Sequence, residues 1–182
     1  MPRMVQLRAM KFSWLAGSLV ISAIALAMVG CGPASEKATV SAPPMAEIAT
    51  SGTPEAPREV TIEVGDHMKF NVTRIEAKAG ETIRLLLVNT GSAPKEAMGH
   101  NLVLLKAGAD STAYANAALK AKANDYIPAE LSADVIAHTK LIGGKSRDAV
   151  VFTVPTEVGE YEYICTFPAH LQLGMKGVLV VQ

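Results

Sequence analysis

The amino-acid sequence predicts an all-β domain, a sandwich or a barrel, in residues 59–182. Apolar and polar side chains alternate in about seven short segments, which is the pattern of half-buried strands. Glycine, proline and polar residues separate these segments and favour turns. Only one longer stretch is rich in helix-forming residues. Short strands at this spacing are typical of sandwiches and barrels.

The strands follow from this alternation in chain order. Val60, Ile62 and Val64 open the series with polar residues between them. A turn at residues 79–81 precedes a strand that is apolar enough to be covered on both faces. The predicted strands are residues 60–64, 68–72, 83–88, 101–105, 150–154, 161–165 and 178–180.

One segment between the fourth and fifth strands predicts a helix over residues 110–123. Asp110 and Ser111 supply N-cap chemistry, and the run that follows is rich in Ala, Lys and Leu. Pro128 prevents a simple continuation of the helix. We expect this insertion to pack as a flap on one face of the strands.

Residues 1–30 are predicted to be a targeting segment outside the domain. Three basic residues, Arg3, Arg8 and Lys11, precede an apolar run without charge over residues 12–30. This pattern indicates a secretory signal. Nineteen apolar residues could also span a bilayer, so an uncleaved signal anchor is the alternative.

Cys31 is the predicted lipid attachment site. Gly30 precedes it as a small residue precedes the acylated cysteine in the lipobox of bacterial lipoproteins, although Met28 stands where Leu is more usual. We therefore expect a membrane-anchored lipoprotein of the periplasm or cell envelope. Gly32 is not the acidic residue that retains some lipoproteins at the inner membrane, which slightly favours the outer membrane.

Residues 31–58 are predicted to be a flexible tether between the lipid and the domain. Five prolines stand among many Ala, Ser and Thr residues, and no hydrophobic periodicity is present.

The net charge of the chain after residue 30 excludes one class of function. Residues 31–182 carry 14 basic and 17 acidic side chains, a net charge of −3, so we expect no nucleic-acid partner.

Residues 165–175 contain the strongest chemical motif. Cys165, His170 and Met175 lie in the loop between the last two predicted strands, and a loop between adjacent strands brings its ends together. A thiolate and an imidazole with a weak thioether favour copper over the hard cations. The alternative is a buried strand cysteine, a loop histidine and a methionine that fills the core.

His100 favours the metal site over that alternative. It follows Gly99 in a tight loop before the strand at 101–105. With Cys165 and His170 it would complete a trigonal His₂Cys set, with Met175 as the long axial ligand of a blue-copper centre.

Three segments carry a resemblance to the azurins, a group of cupredoxins. They are residues 98–101, residues 135–143 and residues 165–177, and the similarity covers roughly residues 60–182. The resemblance implies a Greek-key β-sandwich with a helical flap. The sequence departs from the azurins in two respects. It lacks the cysteine pair of the azurin disulfide, and it places four residues instead of three between His170 and Met175.

The resemblance also implies roles for individual residues. One copper ion would be bound by His100, Cys165 and His170, with Met175 axial and the Gly99 carbonyl as a further contact. Asn101 would connect the ligand loops by hydrogen bonds, and electrons would leave through the edge of His170. An apolar docking patch would surround that edge, formed by Met98, Phe167, Leu171 and Ala169.

These expectations predict an electron carrier rather than an enzyme. Its partners would be redox proteins of the cell envelope, and the lipid would bind it to a membrane. A copper oxidase or nitrite reductase needs a second copper and more histidines, yet only His67 and His138 remain, both predicted to be surface or structural residues. Copper storage or delivery is the remaining alternative.

Overall fold

The protein is described by a computed structural model over residues 51–182, and these residues contain eight strands. The predicted signal segment, the lipidation site Cys31 and residues 32–50 of the tether lie outside the described residues. The strands are β1 (Arg58–Val64), β2 (Arg74–Ala77), β3 (Thr82–Asn89), β4 (Val103–Leu105), β5 (Val135–His138), β6 (Arg147–Thr153), β7 (Gly159–Ile164) and β8 (Lys176–Val181).

The strands form two sheets that enclose the main core, which confirms the predicted β-sandwich. The smaller sheet has the order β1-β3-β6 and the larger the order β2-β8-β7-β4-β5. β1 pairs with β3, and β2 with β8, in parallel, whereas the other pairs are antiparallel. Alternate side chains of both sheets, such as Ile62, Leu85 and Leu179, are buried in one cluster.

The predicted strand at residues 68–72 is wrong. A turn closes with the Met68 amide donating to the Gly65 carbonyl, and Met68 then adopts a left-handed conformation with φ 53°. Phe70 is nevertheless buried and packs edge-on against Tyr163. The alternation of apolar residues therefore predicted the burial of Phe70 correctly, but the chain pairs with the larger sheet only from β2 onward.

The predicted helix is present but shorter than residues 110–123. Helix α1 covers Lys95–Met98 and helix α2 covers Ser111–Ala118. Asp110 caps α2 as expected, because its carboxylate accepts from the amides of Thr112 and Ala113 at 2.9 Å. The chain continues as the 3₁₀ segments Lys122–Asn124 and Ala129–Asp134.

Several strand boundaries differ from the prediction. β4 begins at Val103, because His100 is paired across to Ile142 in an isolated bridge and the intervening two residues leave the ladder. The Gly52 carbonyl accepts a hydrogen bond from the Thr82 amide at 2.9 Å, so the chain already contacts β3 before β1 begins.

Within residues 51–182, the longest helices fall short of the length and apolar character required to cross a membrane.

Candidate metal centre

Cys165 and His170 are brought together by a compact loop between β7 and β8. The His170 amide donates to the Phe167 carbonyl at 3.1 Å, and the Met175 amide donates to the His170 carbonyl at 2.9 Å. The Cys165 amide then donates to the Met175 carbonyl at 3.1 Å, which closes the base of the loop. As predicted from the spacing, the two ends of the loop meet.

His100 reaches the same point from the connection between α1 and β4. Its backbone is fixed by two hydrogen bonds to Ile142, at 2.9 and 2.8 Å. Gly99 precedes it where the chain is tightly packed, since an added Cβ would lie 2.6 Å from the Lys95 carbonyl oxygen and 2.9 Å from Leu141 Cγ. Glycine is therefore required at this position for His100 to reach the centre.

The three side chains form one buried cluster. The potential ligand atoms of His100, Cys165 and His170 all lie within 4.8 Å of one another. Cys165 Sγ is 3.3 Å from His170 Nδ1, and the two imidazole centroids are 4.8 Å apart. His100 and Cys165 are fully buried, and His170 is 2% exposed.

The donor atoms fit a bound copper ion. Both ring nitrogens of His100 are buried without a hydrogen-bond partner among residues 51–182. A buried nitrogen without a partner is costly, and a metal ion would accept its lone pair. Two imidazoles and one thiolate are the donor set of a trigonal copper site.

Burial also controls the protonation of these groups. Desolvation lowers the pKa of His100, and it lowers the pKa of His170 to about 4. Both imidazoles are therefore neutral and able to ligate a metal near pH 7. Burial raises the pKa of Cys165 to about 12, partly offset by the backbone amides of Asn101 and Phe167. A bound cation would reverse this effect and hold the thiolate.

Asn101 connects the two chain segments that carry the cluster. Its Nδ2 donates to Thr166 Oγ1 at 2.8 Å and to the Asp125 carbonyl at 2.9 Å. Its Oδ1 accepts from the Thr166 amide at 2.9 Å and lies 3.1 Å from Thr166 Oγ1. Since Asn101 follows His100 and Thr166 follows Cys165, these bonds restrain both ligands.

The remaining predicted residues lie in the same two chain segments as the members of the cluster. Met175 is fully buried, and Gly99 directly precedes His100. Phe167 packs on His170 with ring centroids 4.8 Å apart, and Met98, Phe167 and Leu171 are half-buried while Ala169 is exposed. His67 and His138 are exposed and lie outside the His100, Cys165 and His170 cluster.

Two contacts near the centre had no recognisable sequence signal. Asp125 accepts the amide of Leu141 at 3.2 Å and the ammonium of Lys95 at 3.0 Å, while its carbonyl binds Asn101. The Lys69 ammonium donates to the Leu173 carbonyl inside the loop between the last two strands. Apart from the ion pair of Asp125 with Lys95, these contacts involve backbone groups, whose positions depend on the fold and not on residue type.

Comparison with known proteins places this centre in a family. The sequence model of the copper-binding plastocyanin/azurin family matches residues 56–182. The azurin of Pseudomonas fluorescens biotype A is 38% identical over 127 residues, covering 68% of this chain and 98% of that protein. Outer membrane protein H.8 of Neisseria meningitidis serogroup B is 41% identical over 113 residues, which is 60% of each chain.

A solved structure agrees with the same assignment. Auracyanin A, described as a "blue" copper protein from the green thermophilic photosynthetic bacterium Chloroflexus aurantiacus, is 38% identical, with a TM-score of 0.62. The match covers 70% of this chain and all of that one. These similarities confirm the resemblance predicted from the motifs, and His100, Cys165 and His170 form the candidate copper site. The chain belongs to the plastocyanin/azurin family of copper-binding cupredoxins.

Proposed function

We propose that this protein is a one-electron carrier of the cell envelope. The observation that carries the proposal is the fully buried group of two imidazoles and one thiol, all within 4.8 Å. In the proposed centre, His100, Cys165 and His170 bind one copper ion. Met175 would contribute its thioether as a weak ligand, and the Gly99 carbonyl would be a further contact.

The protein residues would hold this centre rigid and dry. Bound copper would supply the one-electron exchange between Cu(I) and Cu(II). Cys165 provides a thiolate shielded from solvent, and the neutral imidazoles of His100 and His170 provide nitrogen ligands without a proton to release. Asn101 restrains both ligand segments through Thr166, a role that outer hydrogen bonds commonly play at metal sites.

A carrier is favoured over an enzyme by the ligand inventory. Copper oxidases and nitrite reductases need an additional copper with several more histidines, and the full sequence has only His67 and His138 beyond the proposed ligands. With its protein ligands in place, the proposed centre leaves no open position for a substrate. Transfer of an electron is the chemistry that remains.

We propose that electrons pass through the edge of His170 to a partner. Phe167 packs on the His170 ring. Phe167, Met98 and Leu171 are half-buried apolar residues of the two segments that carry the histidines, and Ala169 is exposed. An apolar patch permits brief docking with close approach, because charged groups need not be desolvated. The partners would be redox proteins of the envelope.

The proposed location follows from the amino terminus. Cys31, after Gly30, would carry the lipid, and residues 32–58 would tether the domain to the membrane. One relative is named outer membrane protein H.8, which supports an envelope location for this chain. The outer membrane is our slightly favoured site.

The central test is a visible spectrum of the copper-loaded domain, followed by reductive titration. We expect an intense thiolate-to-copper band that disappears on addition of one electron per copper and returns on oxidation. Cys165→Ser should retain the sandwich, checked by circular dichroism, and lose the band. A colourless wild-type complex that surrenders copper readily to a chelator would support storage or delivery instead.

A further inference from the structure

Besides the hydrogen bond of the Met175 amide to the His170 carbonyl, two backbone hydrogen bonds hold the turn between His170 and Met175. The Leu173 amide donates to the Ala169 carbonyl at 3.0 Å, and the Gly174 amide donates to the Leu171 carbonyl at 2.8 Å. The side chain of Leu173 is half exposed, so the tip of the turn gains little from core packing. An external contact is therefore valuable for keeping this turn in one conformation.

Lys69 supplies such a contact from a distant part of the chain. Its ammonium donates a hydrogen bond to the Leu173 carbonyl, two residues before Met175. The flanking residues Met68 and Phe70 pack into the main core, which fixes the base of the lysine side chain. The backbone at Lys69 is therefore anchored to the core on both sides of the residue.

Gly174 leaves space for the Lys69 ammonium next to the turn. Gly174 adopts a positive φ of 85°, and a Cβ added there would lie 2.9 Å from Lys69 Nζ. Glycine thus serves both the turn and the approach of the lysine. Within residues 51–182, no carboxylate lies within 4.0 Å of the Lys69 ammonium, so the Leu173 carbonyl does not share it with an ion pair.

We propose that Lys69 is a positioning residue for the metal-binding loop. Its ammonium holds the turn over residues 171–174, so that Met175 stays buried next to Cys165. Hydrogen bonds from charged donors are stronger than those between neutral groups, which suits a contact at an exposed turn. The consequence for copper rests on the proposed function, because it assumes that Met175 is a ligand.

The first test uses the metal-free protein and the amide hydrogen exchange of residues 173, 174 and 175. Lys69→Met should accelerate exchange at these amides about 10-fold, while amides of the strand cores stay unchanged. Lys69→Arg keeps the charged donor and should remain close to wild type. Lys78→Met is the matched control, because Lys78 is exposed in the turn after β2, where Ala77 pairs with Val181 at the end of β8 remote from Met175. Equal exchange in Lys69→Met and wild type would overturn the proposal.

The second test uses the copper-loaded protein. Lys69→Met should change the relative intensities of the thiolate-to-copper bands and speed the release of copper to a chelator about 10-fold. Lys69→Arg should restore both properties, and Lys78→Met should not alter them. A wild-type protein without these bands would refute the proposed function, whereas the exchange experiment would still decide the role of Lys69. Unaltered bands and release in Lys69→Met would refute the effect on the metal.

Discussion

Asn101 offers the sharpest test of how the fold supports the metal centre. Asn101→Ala removes the side chain that bonds to Thr166 and to the Asp125 carbonyl. The Thr166 amide and the Asp125 carbonyl then lose a partner in a buried or partly buried setting. A buried polar group left without a partner costs about 1–3 kcal/mol, so the two together predict a loss of about 2–6 kcal/mol. This is a large share of the roughly 5–15 kcal/mol by which domains are stable.

Copper should increase this loss. Because Asn101 restrains His100 and Thr166 restrains Cys165, the variant should bind copper about 10- to 100-fold more weakly. Each factor of ten corresponds to about 1.4 kcal/mol, so the copper-loaded protein should lose about 1–3 kcal/mol more than the metal-free protein. The difference between the two losses, rather than either alone, reports the role of Asn101 at the site.

The assay is urea unfolding of both forms, with Tyr161→Phe as the control. The Tyr161 hydroxyl donates to the Glu157 carbonyl at 2.8 Å, at the end of β7 remote from Cys165. Its loss should destabilise the metal-free and copper-loaded proteins equally. If Asn101→Ala also lowered the stability of both forms by the same amount, the reasoning that links its hydrogen bonds to copper would be refuted.

Three further predictions concern the axial ligand, the docking patch and protonation. Met175→Leu should retain copper and shift the reduction potential, measured by voltammetry; an unchanged potential would indicate another axial group. Met98→Lys should slow electron exchange with an envelope partner several-fold in stopped-flow measurements without changing the spectrum, and an unaltered rate would contradict docking at that patch. The metal-free protein should lose stability as the pH falls from about 6.5 towards 4, because the unfolded chain binds a proton that buried His170, with a pKa near 4, does not. Urea midpoints at pH 7 and pH 4.5 check this, and His170→Gln should weaken the dependence.

The fold was predictable where burial and backbone conformation agree. Ile62 and Val64 alternate with polar residues and are fully buried in β1, so their pattern identified the strand. The same pattern failed at residues 68–72, because the left-handed Met68 prevents sheet pairing while Phe70 is still buried. β2 was missed because four residues, half of them charged, give too weak an alternation.

The metal centre was predictable because its chemistry is carried by rare side chains. Cys165 and His170 are close in the chain, and only a few other histidines were available to complete the donor set. The residues that support the metal centre could not be identified from their residue type. Lys69 and Asp125 act on or through backbone carbonyls, and any residue type can offer a carbonyl, so only the folded chain reveals these contacts.

The helical insertion packs on one face of the larger sheet, as predicted, and it also supports the metal centre. Tyr114 of α2 lies in one buried cluster with Val103 of β4 and Ile164 of β7. Its last turn ends in Asp125 and Tyr126, both left-handed with φ 51° and 60°. This conformation is costly for residues other than glycine and persists only where surrounding contacts enforce it. The enforcing contacts are those of Asp125 with Asn101, Leu141 and Lys95, together with Tyr126 packed edge-on against Phe167. Since Asn101 follows His100 and Phe167 packs on His170, these contacts of the insertion restrain both segments that carry the proposed copper ligands.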